Sequence, residues 1–241
     1  YIVCDRSGAM SGEPIDGVNR ILPSVCRYLN NDPAAADCAH VSVLSFDTTA
    51  TVELELTSVS DLIDSERYPL LSTGGGTSFA SPLDLLIRTI PADVDKLKAE
   101  GFTVFRPAVY FLTDGQDNGG GWEPILDALT HFDADTGNGF AYYPQIVPFG
   151  FGSAYTANLD RLVWPKVQTR TYRPQYYLAA GNDIAAIMNS ILAGLTWSIM
   201  NAAKAASGGQ WVNAAPPQQA FGAHSPVVAH DASPFPEGAM L

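Results

Sequence analysis

The sequence predicts an α/β domain with a doubly wound, mostly parallel six-stranded sheet, one antiparallel edge strand and helices on both faces. Two observations lead to this prediction. Apolar runs typical of buried strands alternate along the chain with segments whose apolar residues recur at helical spacing. In addition, two strands near the N-terminus are separated by a short polar turn, which indicates a hairpin and hence one antiparallel strand.

Strands are predicted where apolar residues run together or alternate with polar ones. These segments are 1–5, 41–46, 51–56, 108–113, 145–151 and a short one near 169–172. The first, up to Cys4, and the fourth are apolar, as expected of strands buried on both faces. The fifth contains Pro148, which favours an edge or an irregular position because proline cannot donate to a ladder.

Helices are predicted where apolar residues recur every three or four positions. These segments are 13–30, 81–99, 122–132, a turn near 155–164, and 183–204. Pro14 suits the first turn of the first helix, and the sequence Asn31-Asp32-Pro33 ends it.

The chain divides into a predicted domain of residues 1–204 and a predicted tail or linker of residues 205–241. From Ala205 onward the sequence is rich in Ala, Pro, Gly and Ser and contains no Lys or Arg. Trp211, Phe221 and Phe235 are spaced along this segment and leave two interpretations open. They are incidental residues of a linker, or they belong to a strap that docks on the domain or on a neighbouring chain.

The composition limits the classes of partner. The formal net charge is -12, which argues against nucleic acid and anionic membranes, since both are bound through Lys and Arg. The sequence shows no continuous apolar run of the roughly 18 residues that a membrane span needs. Residue 1 is Tyr, already inside the first predicted strand, so we expect the native N-terminus to lie upstream. Cys4, Cys26 and Cys38 have no metal-type spacing, and a reducing cytoplasm is the simplest setting.

Oxygen-bearing side chains follow two of the apolar strands. Asp5 ends the first, behind the apolar run 1–4, and Ser7 follows it; Asp114 follows the strand at 108–113, and Thr77 lies in a glycine-rich loop. In a doubly wound sheet the loops at the carboxyl ends of the strands lie together and form the binding site. Because carboxylates and hydroxyls suit a hard cation, the pattern predicts a site for Mg²⁺ or another divalent ion.

The same residues carry a family resemblance. The motifs are Asp5-x-Ser7-x-Ala9-Met10, Gly75-Gly76-Thr77 and Leu112-Thr113-Asp114-Gly115. Together they resemble the metal-ion-dependent adhesion site of a von Willebrand factor A (vWA) domain, over roughly residues 1–200. The resemblance implies that Ser7 and Thr77 ligate the metal directly, while Asp5 and Asp114 act through water or as alternating ligands.

Further segments favour a subfamily. The segments at 12–15, 43–47 and 111–115 are most similar to bacterial vWA proteins of the tellurite-resistance type. The sequence departs from the family pattern at Ala9, where the motif has a second serine. Two outcomes stay open: a water fills the gap and the site is weaker, or the site is empty and binds partners without metal. Ser11 and Asp117 are possible auxiliary ligands by their position in the sequence.

The resemblance implies a non-catalytic module that docks a partner protein through a carboxylate placed on the metal. It further implies a bacterial stress or signalling system with a kinase- or phosphatase-like partner, in the cytoplasm.

Two alternatives belong to other functional classes. The first is a Mg²⁺-dependent phosphohydrolase that uses Asp5 as nucleophile, although Ser7 stands where such enzymes carry a second Asp. The second is a structural subunit of a larger assembly, with the tail as a strap.

Overall fold

A seven-stranded sheet forms the centre of the computed structural model, which describes residues 1–168, 172–181, 183–210 and 212–233. The strands are β1 (Ile2–Asp5), β2 (His40–Phe46), β3 (Ala50–Ser58), β4 (Ala108–Thr113), β5 (Gln145–Gly150), β6 (Gln175–Ala179) and β7 (Val227–Asp231). Their order is β3-β2-β1-β4-β5-β6-β7, with β3 and β7 antiparallel to their neighbours and the five strands between them parallel. The α/β fold class is therefore confirmed, with seven strands instead of six and antiparallel strands at both edges.

Helices cover both faces of this sheet. They are α1 (Glu13–Asn19), α2 (Ile21–Leu29), α3 (Pro33–Cys38), α4 (Val59–Ser65), α5 (Ala80–Ala99), α6 (Glu123–Thr130), α7 (Thr156–Leu162) and α8 (Ile184–Ser207). Two apolar clusters result, one beneath α1–α4 and α8 and the other beneath α5 and α6. Strand β1 feeds both clusters, because Ile2 and Cys4 face one side and Val3 faces the other.

The helix predicted over 13–30 is two helices, and the break lies at Arg20. Pro23 explains the break, because proline has no N–H to donate to the carbonyl four residues earlier, which is that of Asn19. The Arg20 amide instead donates to the Gly17 carbonyl at 3.1 Å, which closes α1 with a tighter turn.

Pro148 does not lie at an edge of the sheet, but it does occupy an irregular position in it. Strand β5 pairs with β4 along its whole length, but β6 pairs only with its last two residues, Phe149 and Gly150. Earlier in β5, on the side that faces β6, Ile146 forms two backbone hydrogen bonds with Trp164. The backbone groups of Ile146 and Pro148 point to the same side of β5. The N–H that Pro148 lacks would therefore lie between the bridge to Trp164 and the pairing with β6, where no partner strand needs it.

The segment beyond residue 205 is part of the domain wherever it is described. Helix α8 continues to Ser207, a 3-10 turn spans Gln218–Phe221, and β7 pairs with β6. Phe221 is buried between Phe149, Tyr177 and the backbone of α8. The prediction of a separate tail from 205 is therefore wrong for 212–233. The widely spaced apolar side chains of this segment, such as Phe221, pack into the cluster between the sheet and α8. Trp211, Phe235 and residues 169–171 of the strand predicted near 169–172 lie outside the described residues.

Part of the outer edge of β7 is covered by one side chain. The amide of Gln218 donates to the Val227 carbonyl and accepts from the Ala229 amide, both at 2.8 Å. The backbone N–H and C=O groups of Val227 and Ala229 point away from β6. This follows from the alternation along the strand, because the backbone groups of Val228 point toward β6. Gln218 therefore occupies the hydrogen-bonding positions that a neighbouring strand would use.

Helix α8 is long and apolar enough to cross a membrane by length and composition, which the sequence prediction did not detect. Half of its most apolar stretch is buried inside the domain, where it packs against α1, α2 and α3. A Cβ on Gly17 of α1 would come within 2.6 Å of the Met188 side chain. Glycine therefore allows this close approach, and α8 has the contacts of a core helix.

We expect Phe221→Ala to lower the free energy of unfolding by about 3–5 kcal/mol, because it removes a buried aromatic ring. Leu70→Ala is the matched control, since Leu70 is 83% exposed and should change stability by less than about 0.5 kcal/mol. Urea unfolding followed by tryptophan fluorescence measures both. Equal stability of the two variants would mean that residues 212–233 do not pack on the domain.

Candidate metal centre

The predicted site residues meet at the carboxyl end of the central strands. Strands β1 and β4 are parallel neighbours, with Cys4 opposite Leu112. Asp5 ends β1, and Thr113 ends β4 with Asp114 directly after it. The register of one strand pair therefore brings both carboxylates to the same edge of the sheet.

Asp5 is fully buried and both of its oxygens are held. The Ser7 amide donates to Oδ1 at 2.8 Å, and the Thr113 hydroxyl donates to Oδ2 at 2.6 Å. Thr113 Oγ1 in turn accepts from the Gly115 amide at 3.2 Å. Thr113 is thus a positioning residue to which the sequence prediction gave no role, although it stands at the end of β4 and inside the motif Leu112-Thr113-Asp114-Gly115.

Backbone hydrogen bonds tie the loop that carries Thr77 to the other two loops. The Gly74 amide donates to the Arg6 carbonyl at 2.8 Å, and the Asn118 amide donates to the Thr77 carbonyl at 2.8 Å. A Cβ on Gly115 would lie 3.4 Å from Thr77 Oγ1 and 3.9 Å from Asp5 Oδ2. The Thr77 hydroxyl and the Asp5 carboxylate therefore face the same small space, which a side chain at 115 would fill.

Two buried oxygens at this edge have no hydrogen-bond partner. They are Ser7 Oγ and Asp114 Oδ1, on residues that are 3% and 7% exposed. The Ser7 hydroxyl is close enough to Asp5 to favour its charged form, but it lacks hydrogen-bond geometry toward any acceptor. An unsatisfied buried polar group costs about 1–3 kcal/mol, so two of them from different loops fit a cation that would satisfy both.

The electrostatics favour neutralisation of the two carboxylates. Burial, and then the charge of Asp5, raise the pKa of Asp114 to about 6. Burial also raises the pKa of Asp5, although its hydrogen bonds from Thr113 and Ser7 oppose this effect. A divalent cation would relieve both the mutual repulsion and the cost of burying charge.

The donor set limits the kind of metal that this edge of the sheet could hold. No group of three or more His, Cys, Asp or Glu side chains with metal-binding geometry occurs in the part of the chain that the structure describes. The oxygens that would hold a cation are those of Ser7, Thr77, Asp114 and Asp5. Hydroxyls and carboxylates with room for water suit a small hard ion such as Mg²⁺.

The remaining predicted residues do not add ligands to this set. Ala9 is exposed in the 3-10 turn Gly8–Met10, and Ser11 follows it, exposed, with its amide bonded to the Gly8 carbonyl. Asp117 accepts backbone hydrogen bonds at both oxygens, from Phe79 at 2.7 Å and from Gly120 at 2.5 Å. Its role in the structure is to join its own loop to the start of α5.

Comparison with solved structures identifies the architecture. A von Willebrand factor type A protein from Catenulispora acidiphila aligns with 83% of this chain and 42% of its own, with a TM-score of 0.55 and 16% identity. The chain has the fold of a von Willebrand factor A domain. At this level of identity the likeness shows the vWA fold alone, so the tellurite-resistance subfamily stays a prediction.

Two other structures with this fold give lower scores. Proximal thread matrix protein 1 from the mussel byssus, with a zinc-occupied MIDAS motif, aligns with 82% of this chain and 44% of its own (17% identity, TM-score 0.49). The ArnB paralog VWA2 from Sulfolobus acidocaldarius aligns with 80% and 43% (14% identity, TM-score 0.44). The chain thus spans less than half the length of these vWA structures. No family model and no curated protein matches the sequence.

We expect Gly75→Ala to destabilise the domain by about 1–3 kcal/mol, because this position combines strain with a close contact. Gly75 has φ +67°, and a Cβ there would lie 2.9 Å from the Asp47 carboxyl carbon. Gly74→Ala is the control in the same loop, since no atom lies within 4 Å of its Cβ position. Chemical unfolding measures both; a Gly74 variant as unstable as the Gly75 variant would contradict the assignment.

Proposed function

We propose that this chain is a non-catalytic binding module that holds one divalent cation at the edge formed by Asp5, Ser7, Thr77 and Asp114. The cation in turn would receive a carboxylate of a partner protein. The observation that supports this most is the pair of buried, unpartnered oxygens, Ser7 Oγ and Asp114 Oδ1, which come from two separate loops.

The residues of the chain divide the work between ligation and support. Ser7 and Thr77 offer neutral hydroxyls, which by themselves do not reduce the charge of the metal. Asp5 is fixed by Thr113 and by the Ser7 backbone, so its negative charge is held near the hydroxyls. When bound, Mg²⁺ supplies an electrophilic position that exchanges a water for an anionic oxygen.

The geometry of Asp5 argues against the phosphohydrolase alternative. A nucleophilic carboxylate must present an oxygen to the substrate, but the Asp5 side chain is fully buried and both oxygens accept short hydrogen bonds. Ser7 occupies the position at which an acid/base carboxylate would be needed, and a serine hydroxyl cannot take that role. These contacts support binding over catalysis.

The structure removes the main argument for the alternative of a structural subunit. It rested on residues beyond 205 acting as a strap, and the described part of that segment, 212–233, packs on its own domain. The kinase- or phosphatase-like partner, the bacterial stress or signalling system and the cytoplasmic location rest on the sequence resemblance. We retain them as parts of the proposal.

We expect Mg²⁺ to bind the chain with one site and Asp5→Ala or Ser7→Ala to weaken the affinity about tenfold or more, as the loss of supporting or ligating oxygens does elsewhere. Isothermal titration calorimetry with the metal alone measures this. Asp64→Asn, on the exposed surface of α4, is the charge-matched control and should bind as the wild type does. Equal affinity of the wild type and the three variants would mean that the cation does not bind at Asp5 and Ser7.

We expect Ala9→Ser to tighten Mg²⁺ binding by about tenfold, or about 1.4 kcal/mol, because it restores the second hydroxyl of the motif. Gly8→Ser, one residue earlier in the same exposed turn, controls for a hydroxyl at the wrong position. The titration is the same as above. A serine at 9 that leaves the affinity unchanged would show that this position does not face the cation.

A further inference from the structure

The hairpin turn of residues 47–49, between β2 and β3, lies against the loop that carries Thr77. Its Thr48 hydroxyl accepts a hydrogen bond from the Gly76 amide at 3.2 Å, and the carbonyl of its first residue accepts one from the Ser78 amide at 2.8 Å. Gly76 and Ser78 are the residues directly before and after Thr77. The turn therefore holds the backbone on both sides of a proposed ligand without supplying a ligand itself.

The same turn is joined to the loop that carries Ser7. Asp47 forms an ion pair with Arg6, the residue before Ser7, with 3.0 Å between Oδ2 and Nη2. The two side chains are 13% and 24% exposed, so solvent screens this pair less than it screens a surface pair. Arg6 is also fixed through its backbone, since its amide donates to the Phe46 carbonyl at 2.8 Å and its carbonyl accepts from the Gly74 amide at 2.8 Å. The turn thus contacts both of the loops that carry the two hydroxyls.

Thr48 acts on the position of Thr77 and contributes little to the core. Its side chain is exposed, so loss of its hydroxyl opens no cavity in either apolar cluster. What is lost is the acceptor for the amide of Gly76, the residue joined to Thr77. Without that hydrogen bond Thr77 would be free to shift while the rest of the domain keeps its packing.

Mg²⁺ and Ca²⁺ differ in how far they tolerate such a shift. Mg²⁺ requires near-octahedral geometry with ligands at about 2.0–2.1 Å, whereas Ca²⁺ accepts about six to eight oxygens at about 2.3–2.6 Å in flexible arrangements. Two hydroxyls held at a fixed separation therefore favour the smaller ion. Two hydroxyls that can move apart lose this preference.

We propose that Asp47 and Thr48 are positioning residues of the metal site, and that the Thr48 hydroxyl makes the site selective for Mg²⁺ over Ca²⁺. They set the separation of the Ser7 and Thr77 hydroxyls, and neither touches the cation. This inference rests on the proposed function and deepens it, because it names what fixes the ligands and which ion they admit.

The test measures the affinities of the full chain for Mg²⁺ and for Ca²⁺ in separate calorimetric titrations. We expect Thr48→Ala to weaken Mg²⁺ binding about tenfold and Ca²⁺ binding less than about twofold, so that the preference for Mg²⁺ falls about fivefold or more. Thr48→Ser keeps the acceptor and should keep the preference. Thr49→Ala is the matched control, because its hydroxyl bonds within the turn, to Asp47 at 3.4 Å, and it should behave as the wild type does.

Hydrogen exchange without metal gives an independent measurement. The Gly76 amide should exchange about fivefold faster in Thr48→Ala than in Thr49→Ala, because only the first variant removes its acceptor. Equal exchange in the two variants would overturn the proposal, whether or not a cation binds. If Thr48→Ala does not fold, Thr48→Val removes the same acceptor with a side chain of nearly the same size.

The outcomes separate this proposal from the proposed function. A wild type that binds neither ion would contradict the proposed function, and this inference with it, before any variant is considered. A wild type that binds Mg²⁺, with an unchanged preference in Thr48→Ala, would overturn the role of Thr48 alone. An equal loss for both ions, or an equal change of preference in Thr49→Ala, would overturn it as well, because either result indicates general loosening of the turn.

Discussion

The candidate site depends on one constraint, the parallel pairing of β1 with β4. That register puts the last residues of both strands at one edge and lets the Thr113 hydroxyl reach the Asp5 carboxylate at 2.6 Å. Because Asp5 is fixed from both sides, the Ser7 backbone that bonds to it is fixed as well. The loop of Thr77 is then held against this pair by its own backbone hydrogen bonds. A different register would separate the carboxylates and leave no site.

Such an arrangement carries a cost that the rest of the domain must offset. Two buried carboxylates repel each other, and two buried oxygens lack partners. Two large apolar clusters on either side of the sheet provide the stabilisation. Polar strain concentrated at one edge of a well-packed fold is typical of binding sites, where a ligand rather than the protein completes the interactions.

The sequence was sufficient for features that depend on local pattern and insufficient for those that depend on register. Asp5 and Asp114 were identified because each directly follows an apolar strand, whereas the role of Thr113 depends on which strand lies beside β4. The split at Arg20 follows from Pro23, a local signal that the apolar periodicity concealed. Strands β6 and β7 are short and weakly patterned, and they form because each pairs with a neighbour that the sequence does not specify.

Gln218 has a consequence beyond the single molecule. A free sheet edge can recruit the edge of a second copy and so start the growth of an aggregate. The side-chain amide of Gln218 occupies the outward carbonyl of Val227 and the outward amide of Ala229, so β7 offers these two groups to no other chain. One glutamine thus blocks part of this sheet edge against pairing with a second copy of the chain.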